Sequence, residues 1–149
     1  MHKSVSQLIS IQKEIQTKII DLNYREYNPK IIAVSKTFSI SKILPLINYG
    51  QKDFGENKVQ EAIEKWTDIK KDFTDINLHM IGKLQTNKVK YVVPLFDYIH
   101  SLDSLKLAEK IAEQQIKFKK KLSIFIQINI GNEEQKNGIE IENLDSFYL

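Results

Sequence analysis

The sequence predicts a parallel α/β fold, made of the repeated βα units of a TIM-type (β/α)8 barrel, and two observations carry that prediction. Short apolar runs recur roughly every 20 to 25 residues, each followed by a segment with helical spacing, the pattern of parallel strands joined by right-handed crossovers. The first of these runs, Ile31 to Ser35, is apolar or small on both faces, which predicts a parallel strand covered on both sides. About five of the eight units of such a barrel fit into the 149 residues, read as one incomplete barrel domain over 1–149.

Each element follows from local pattern. Val5, Leu8, Ile11, Ile15, Ile19 and Leu22 recur at steps of three and four, so residues 4–22 form an amphipathic helix that Asn28 and Pro29 end. After the first strand, Ser41 can cap a short helix carrying Ile43, Leu44 and Ile47, with Pro45 in its first turns and Gly50 as its C′ glycine. Asp53 to Gly55 is the second strand. Glu56 and Asn57 come next, and Asn57 or a neighbour can cap the helix presenting Val59, Ala62, Ile63 and Trp66. The third strand, Asn77 to Ile81, ends at Gly82, and Thr86 to Val93 reads as a helix stopped by Pro94. Asp97 to Ser101 is the fourth strand. Asp103 or Ser104 caps the following helix, with Leu105, Ala108, Ile111 and Ala112 at helical spacing, and Leu122 to Ile130 is the fifth strand.

In a (β/α)8 barrel the functional groups sit at the carboxyl ends of the strands. Here those ends carry Lys36, then Glu56 and Asn57, then Gly82 and Lys83, then Ser101, then Asn129. Alternation along the first strand puts Ile32, Val34 and Lys36 on one face. Burial at the end of such a strand favours the neutral, nucleophilic amine, which is the form a carbonyl cofactor needs, so Lys36 is the candidate binding residue. His79 and His100 are expected as satisfied interior histidines rather than ligands, and Met80, Trp66 and the phenylalanines as core.

Composition excludes several classes. The chain has no cysteine and its three histidines lack ligand-like spacing, so no disulfide, thiolate metal site or structural zinc is expected. A net charge of +3, with 22 basic and 19 acidic residues interspersed, argues against nucleic acid. The dense run Lys117, Lys119, Lys120 and Lys121 reads as a solvated helix end. No apolar segment reads as a signal peptide or a membrane span, which makes the cytoplasm the expected compartment.

Five segments, IIAVSKTFS, YGQKDFGENKVQEA, LHMIGKLQTNK, IHSLD and FIQINIGNEEQKNGI, resemble in order and spacing the signature segments of the pyridoxal phosphate homeostasis proteins, single-domain relatives of the amino-terminal barrel of alanine racemase. The resemblance runs from about residue 5 to about residue 142. It implies a barrel that holds pyridoxal 5′-phosphate as a Schiff base on the lysine closing strand one, here Lys36, and buffers or delivers the cofactor without catalytic turnover. It places Asn57 near the cofactor and Lys136 in a rim loop, where a solvated lysine is the default. Members of the family continue past the end of this chain, so the resemblance also implies a truncated barrel without the family's phosphate-binding loops, expected to bind the cofactor weakly or not at all and open to association with itself or with a complementing chain. The alternatives are a racemase-like enzyme using Lys36 as an acid/base group, and an inert fragment.

Overall fold

The computed structural model describes residues 1–131 and 133–149. The chain opens with helix α1 (Lys3–Asp21), then runs β1 (Ala33–Val34), α2 (Ile40–Tyr49), β2 (Asp53–Glu56), α3 (Val59–Trp66), α4 (Ile69–Asp72) and β3 (Asn77–Met80). A 3₁₀ turn, Thr86–Lys88, leads into α5 (Val89–Leu95), followed by β4 (Tyr98–Leu102), α6 (Leu105–Phe118), β5 (Ser123–Ile126), β6 (Ile128–Asn129), β7 (Ile139–Glu140) and α7 (Leu144–Tyr148). Strands β1 to β5 form one sheet in chain order with every pair parallel, as expected of successive βα units.

Alternation sorts the strand residues into two layers. Phe54, Leu78, Met80 and Ile99 point toward the helices and are fully buried with Trp66, Val92, Val93 and Ile111. Each large apolar side chain sealed this way contributes about 1.5–3 kcal/mol relative to exposure. The opposite, inner face carries Val34, Gly55, His79 and Tyr98, which lie side by side in register, and further along Phe125.

The structure departs from the sequence expectations at definite points. The first strand is not covered on both sides: Val34 is 49% exposed and Lys36 is exposed as well, so the burial expected to favour the neutral Lys36 amine is absent among the described residues. The paired strand is only Ala33–Val34, prolonged by the Ser35 N–H donating to the Gly55 carbonyl at 3.0 Å. The cap residue of α2 is Ser39 rather than Ser41, with the two hydroxyls 2.9 Å apart. Lys58, not Asn57, precedes α3 and makes no side-chain cap bond. Pro94 lies inside α5 instead of stopping it; its fixed φ suits a helix, and in so short a helix it forfeits one backbone bond. The fifth strand breaks at Gln127, whose N–H donates to the Leu102 carbonyl while its own carbonyl accepts from Ile139 N–H, so the chain passes from pairing with β4 to pairing with β7.

The helix-end lysines are not all solvated. Lys120 donates to the Phe96 carbonyl at 2.6 Å and lies 3.4 Å from Asp97, and its burial pushes its pKa down against the pull of that carboxylate. Asp97 also accepts from Lys70 at 2.5 Å and from the Leu78 N–H at 2.8 Å, which ties the amino ends of β3 and β4 to the helix layer. That is the end of a barrel where polar contacts serve stability.

Candidate functional site

The carboxyl ends of β1, β2 and β3 converge on Lys36, Asn57 and Gly82. Val34 and Gly55 are register partners, and two residues further along each strand stand Lys36 and Asn57. Lys36 is exposed and occupies a tight turn closed by Phe38 N–H donating to the Ser35 carbonyl at 3.2 Å. The turn needs a left-handed residue, and Thr37 supplies it at φ 66°, a conformation that a β-branched side chain takes only under constraint. Asn57 is half-buried, and its backbone lies so close to Gly82 that a Cβ there would meet the Asn57 carbonyl oxygen at 2.5 Å. Only glycine permits this approach of the loops after β2 and β3.

The constraint on Thr37 comes from beneath. Its N–H donates to Glu61 Oε1 at 2.6 Å. Lys65 donates to Glu61 at 3.2 Å, to Glu56 Oε1 at 2.8 Å and to the Ser35 carbonyl at 2.9 Å. Glu56 Oε1 also accepts from Ser35 Oγ at 2.7 Å and from Trp66 Nε1 at 2.9 Å. Glu56 was expected at the rim; alternation instead puts it on the helix side with Phe54, wholly buried. Its Oε2 finds no partner among the described residues. The Thr37 hydrogen bond first, then Lys65, holds the Glu61 carboxyl below its ordinary pKa. Ser101, also expected at the rim, is buried too, its hydroxyl unpaired among the described residues.

The inner face carries a second chain of polar groups. His79 Nε2 lies 2.9 Å from Asp53 Oδ1, and His79 Nδ1 lies 2.9 Å from His100 Nε2. A carboxylate only accepts, so Nε2–H is the donor to Asp53 and Nδ1 accepts from His100. Asn77 donates to the same Asp53 oxygen at 3.2 Å, Tyr98 stacks on His79, and Phe125 stacks on His100. His79 is therefore a satisfied interior residue, as its position suggested, whereas His100 is only half-buried and bonded through Nε2. Burial first, and His79 second, lowers the His100 pKa from its ordinary value of 6.5.

Elsewhere on the rim, Asn129 donates from Nδ2 to the Glu133 carbonyl at 3.0 Å, and Lys136 donates to Glu133 Oε1 at 2.7 Å, which makes Lys136 a paired loop lysine. Among the described residues, no group of three or more His, Cys, Asp or Glu side chains is placed to hold a metal, and no helix is long and apolar enough to cross a membrane. Glu61, Lys65 and Thr37 escaped sequence reasoning. Glu61 and Lys65 carry only the spacing of an ordinary i,i+4 surface pair, which says nothing of a turn 24 residues earlier.

Residues 14–149 match the family described as alanine racemase, N-terminal domain. The chain belongs to this family. It is 41% identical over 134 residues to the pyridoxal phosphate homeostasis protein of Haemophilus influenzae, covering 90% of this chain and 56% of that relative. Identity to the protein of the same name from Escherichia coli is 40% over 116 residues, covering 77% and 50%. The chain thus spans about half the length of the curated relatives it matches. Among solved structures it superimposes on PipY of Synechococcus elongatus with pyridoxal phosphate bound, with a TM-score of 0.73 and 33% identity over 85% of this chain and 59% of that one. A Bifidobacterium adolescentis protein gives a TM-score of 0.75 at 25% identity, over 97% and 64%. The five parallel strands are therefore units of the TIM-type barrel of this family.

The residues at the rim fit an aldehyde cofactor. An exposed amine, able to add to a carbonyl, stands at the end of a parallel strand, and the half-buried Asn57 amide stands at the end of the next one.

Proposed function

We propose that this chain binds pyridoxal 5′-phosphate at the carboxyl end of its sheet and serves intracellular homeostasis of that cofactor. One observation carries the reading: Lys36 stands at the inner carboxyl end of β1, in a chain that superimposes on a PipY structure with pyridoxal phosphate bound. Lys36 would hold the cofactor through its amine, exposed at the strand end and free to meet an aldehyde. When bound, the cofactor supplies an electrophilic carbonyl and an electron-withdrawing ring. Asn57, on the neighbouring strand end, offers an amide donor and acceptor to the bound ring.

The reading is of binding and release rather than turnover, since the relatives at about 40% identity carry the name of homeostasis proteins. It places the protein in the cytoplasm, which fractionation of the source cells would check. The uncovered inner face also makes association with a second copy or with a complementing chain part of the proposal, and sedimentation of the purified chain with and without cofactor measures it.

The direct test is to titrate the purified chain with pyridoxal 5′-phosphate, reduce with borohydride and map the adduct by mass spectrometry. A saturable adduct on Lys36, absent in Lys36→Ala, is expected. Labelling spread over exposed lysines and unaffected by Lys36→Ala would overturn the assignment.

A further inference from the structure

Lys36 is exposed, so its own surroundings do not orient it; what is held rigidly is the turn that carries it. Three groups from α3 and β2 grip that turn. Glu61 takes the Thr37 N–H at 2.6 Å, Lys65 takes the Ser35 carbonyl at 2.9 Å, and Glu56 takes the Ser35 hydroxyl at 2.7 Å. Two of these, Glu56 and Lys65, are almost completely excluded from solvent and lie 2.8 Å apart. A buried ion pair is a costly way to stabilise a fold, because desolvation offsets most of its attraction. Its retention here coincides with a backbone residue held in a left-handed conformation foreign to threonine, immediately after Lys36.

We infer that Glu61, oriented by Lys65, is a positioning residue for Lys36, fixing the Ser35–Phe38 turn so that the amine projects from the strand end over the inner face. The inference rests on the reading of Lys36 as the cofactor-binding lysine. The clamp acts through the backbone: a carboxylate accepting the Thr37 N–H keeps Thr37 left-handed and leaves the exposed Lys36 side chain projecting from a fixed turn. Loss of the carboxylate leaves that N–H without its acceptor, the turn relaxes toward conformations natural to threonine, and the amine spends less time where the aldehyde can meet it.

The experiment has two arms on the full chain. In the first, without cofactor, amide exchange and the pH dependence of the Thr37 N–H resonance are followed by NMR in the wild type, Glu61→Gln and Glu61→Ala. In the second, the same proteins and Lys36→Ala are titrated with pyridoxal 5′-phosphate and reduced. Glu61→Ala should speed Thr37 exchange and lower the Lys36 adduct about tenfold at subsaturating cofactor. Glu61→Gln, which keeps an oxygen for the Thr37 N–H, should restore both to within about threefold of wild type and abolish the acid titration of the Thr37 resonance. If Glu61→Ala does not fold, Glu61→Asp carries the test, since its carboxylate is one methylene too short to reach and the adduct should fall as well. An adduct that requires Lys36 but is unchanged in Glu61→Ala or Glu61→Asp sinks the clamp alone. An adduct indifferent to Lys36→Ala sinks the cofactor reading, and the positioning role falls with it.

Discussion

The two faces of the sheet come from the same strands and have opposite characters. On the helix side, Phe54, Leu78, Met80, Ile99 and even Glu56 are wholly buried. On the inner side, Val34 and Phe125 are about half exposed, Lys36 stands in solvent, and the buried groups are the polar Asp53 and His79. The comparison separates two jobs. Stability resides between sheet and helices, where dispersion and apolar burial dominate, while the proposed cofactor site lies on the face where polar groups collect. The Glu56–Lys65 pair joins them, being sealed within the first layer yet bonded to the turn that serves the second.

The largest effect is expected where the helix side is broken. Trp66→Ala removes a fully buried ring packed 5.0 Å from Phe54 and the indole donor of Glu56, and should cost about 3–5 kcal/mol in urea unfolding. Two glycines sharpen the contrast with the inner side. A methyl at Gly82 would overlap Asn57 backbone atoms at 2.5 and 2.8 Å, which cannot yield, whereas at Gly55 it meets side-chain methyls of Ile81 and Ile32 at 3.0 and 3.3 Å, which must give by a few tenths of an ångström. Gly82→Ala should therefore cost about 1–3 kcal/mol in urea unfolding and Gly55→Ala less, about 1 kcal/mol.

The smallest effect concerns acid. Because the folded protein holds His100 below its ordinary value of 6.5, the unfolded chain binds the proton more readily between the two values. The stability involved is present above that value and falls as pH drops through it toward the folded one. Melting temperatures measured across that range should decline on acidification and decline less in His100→Gln.

Much of this was legible in the sequence, because βα periodicity is local. Helical spacing, turn residues and apolar runs recur within each unit, so element order and parallel pairing follow without long-range information. Lys36 could be placed on the inner face by alternation alone. Its surroundings could not: the pattern IIAVS is the same whether or not anything lies over it, and the expectation of a covered strand failed at Val34. Glu56 shows the converse. Adjacency to Asn57 suggested the rim, but a two-residue period sends neighbouring side chains to opposite faces. The grip of Glu61 on Thr37 joins residues 24 apart, and its only local trace is Glu61 four residues before Lys65.

The order of the strands has a consequence for how the protein is made. Every strand of the sheet after the first pairs with the one synthesised just before it: Ala33 meets Phe54, 21 residues on, and Asp53 meets Asn77, 24 residues on. No pairing in this sheet waits for a distant segment. As the chain leaves the ribosome, each βα unit finds its template already in place, and loop-closure cost stays nearly constant from one step to the next. At each step from β1 to β5 the growing sheet thus offers the edge of its newest strand as the template for the next.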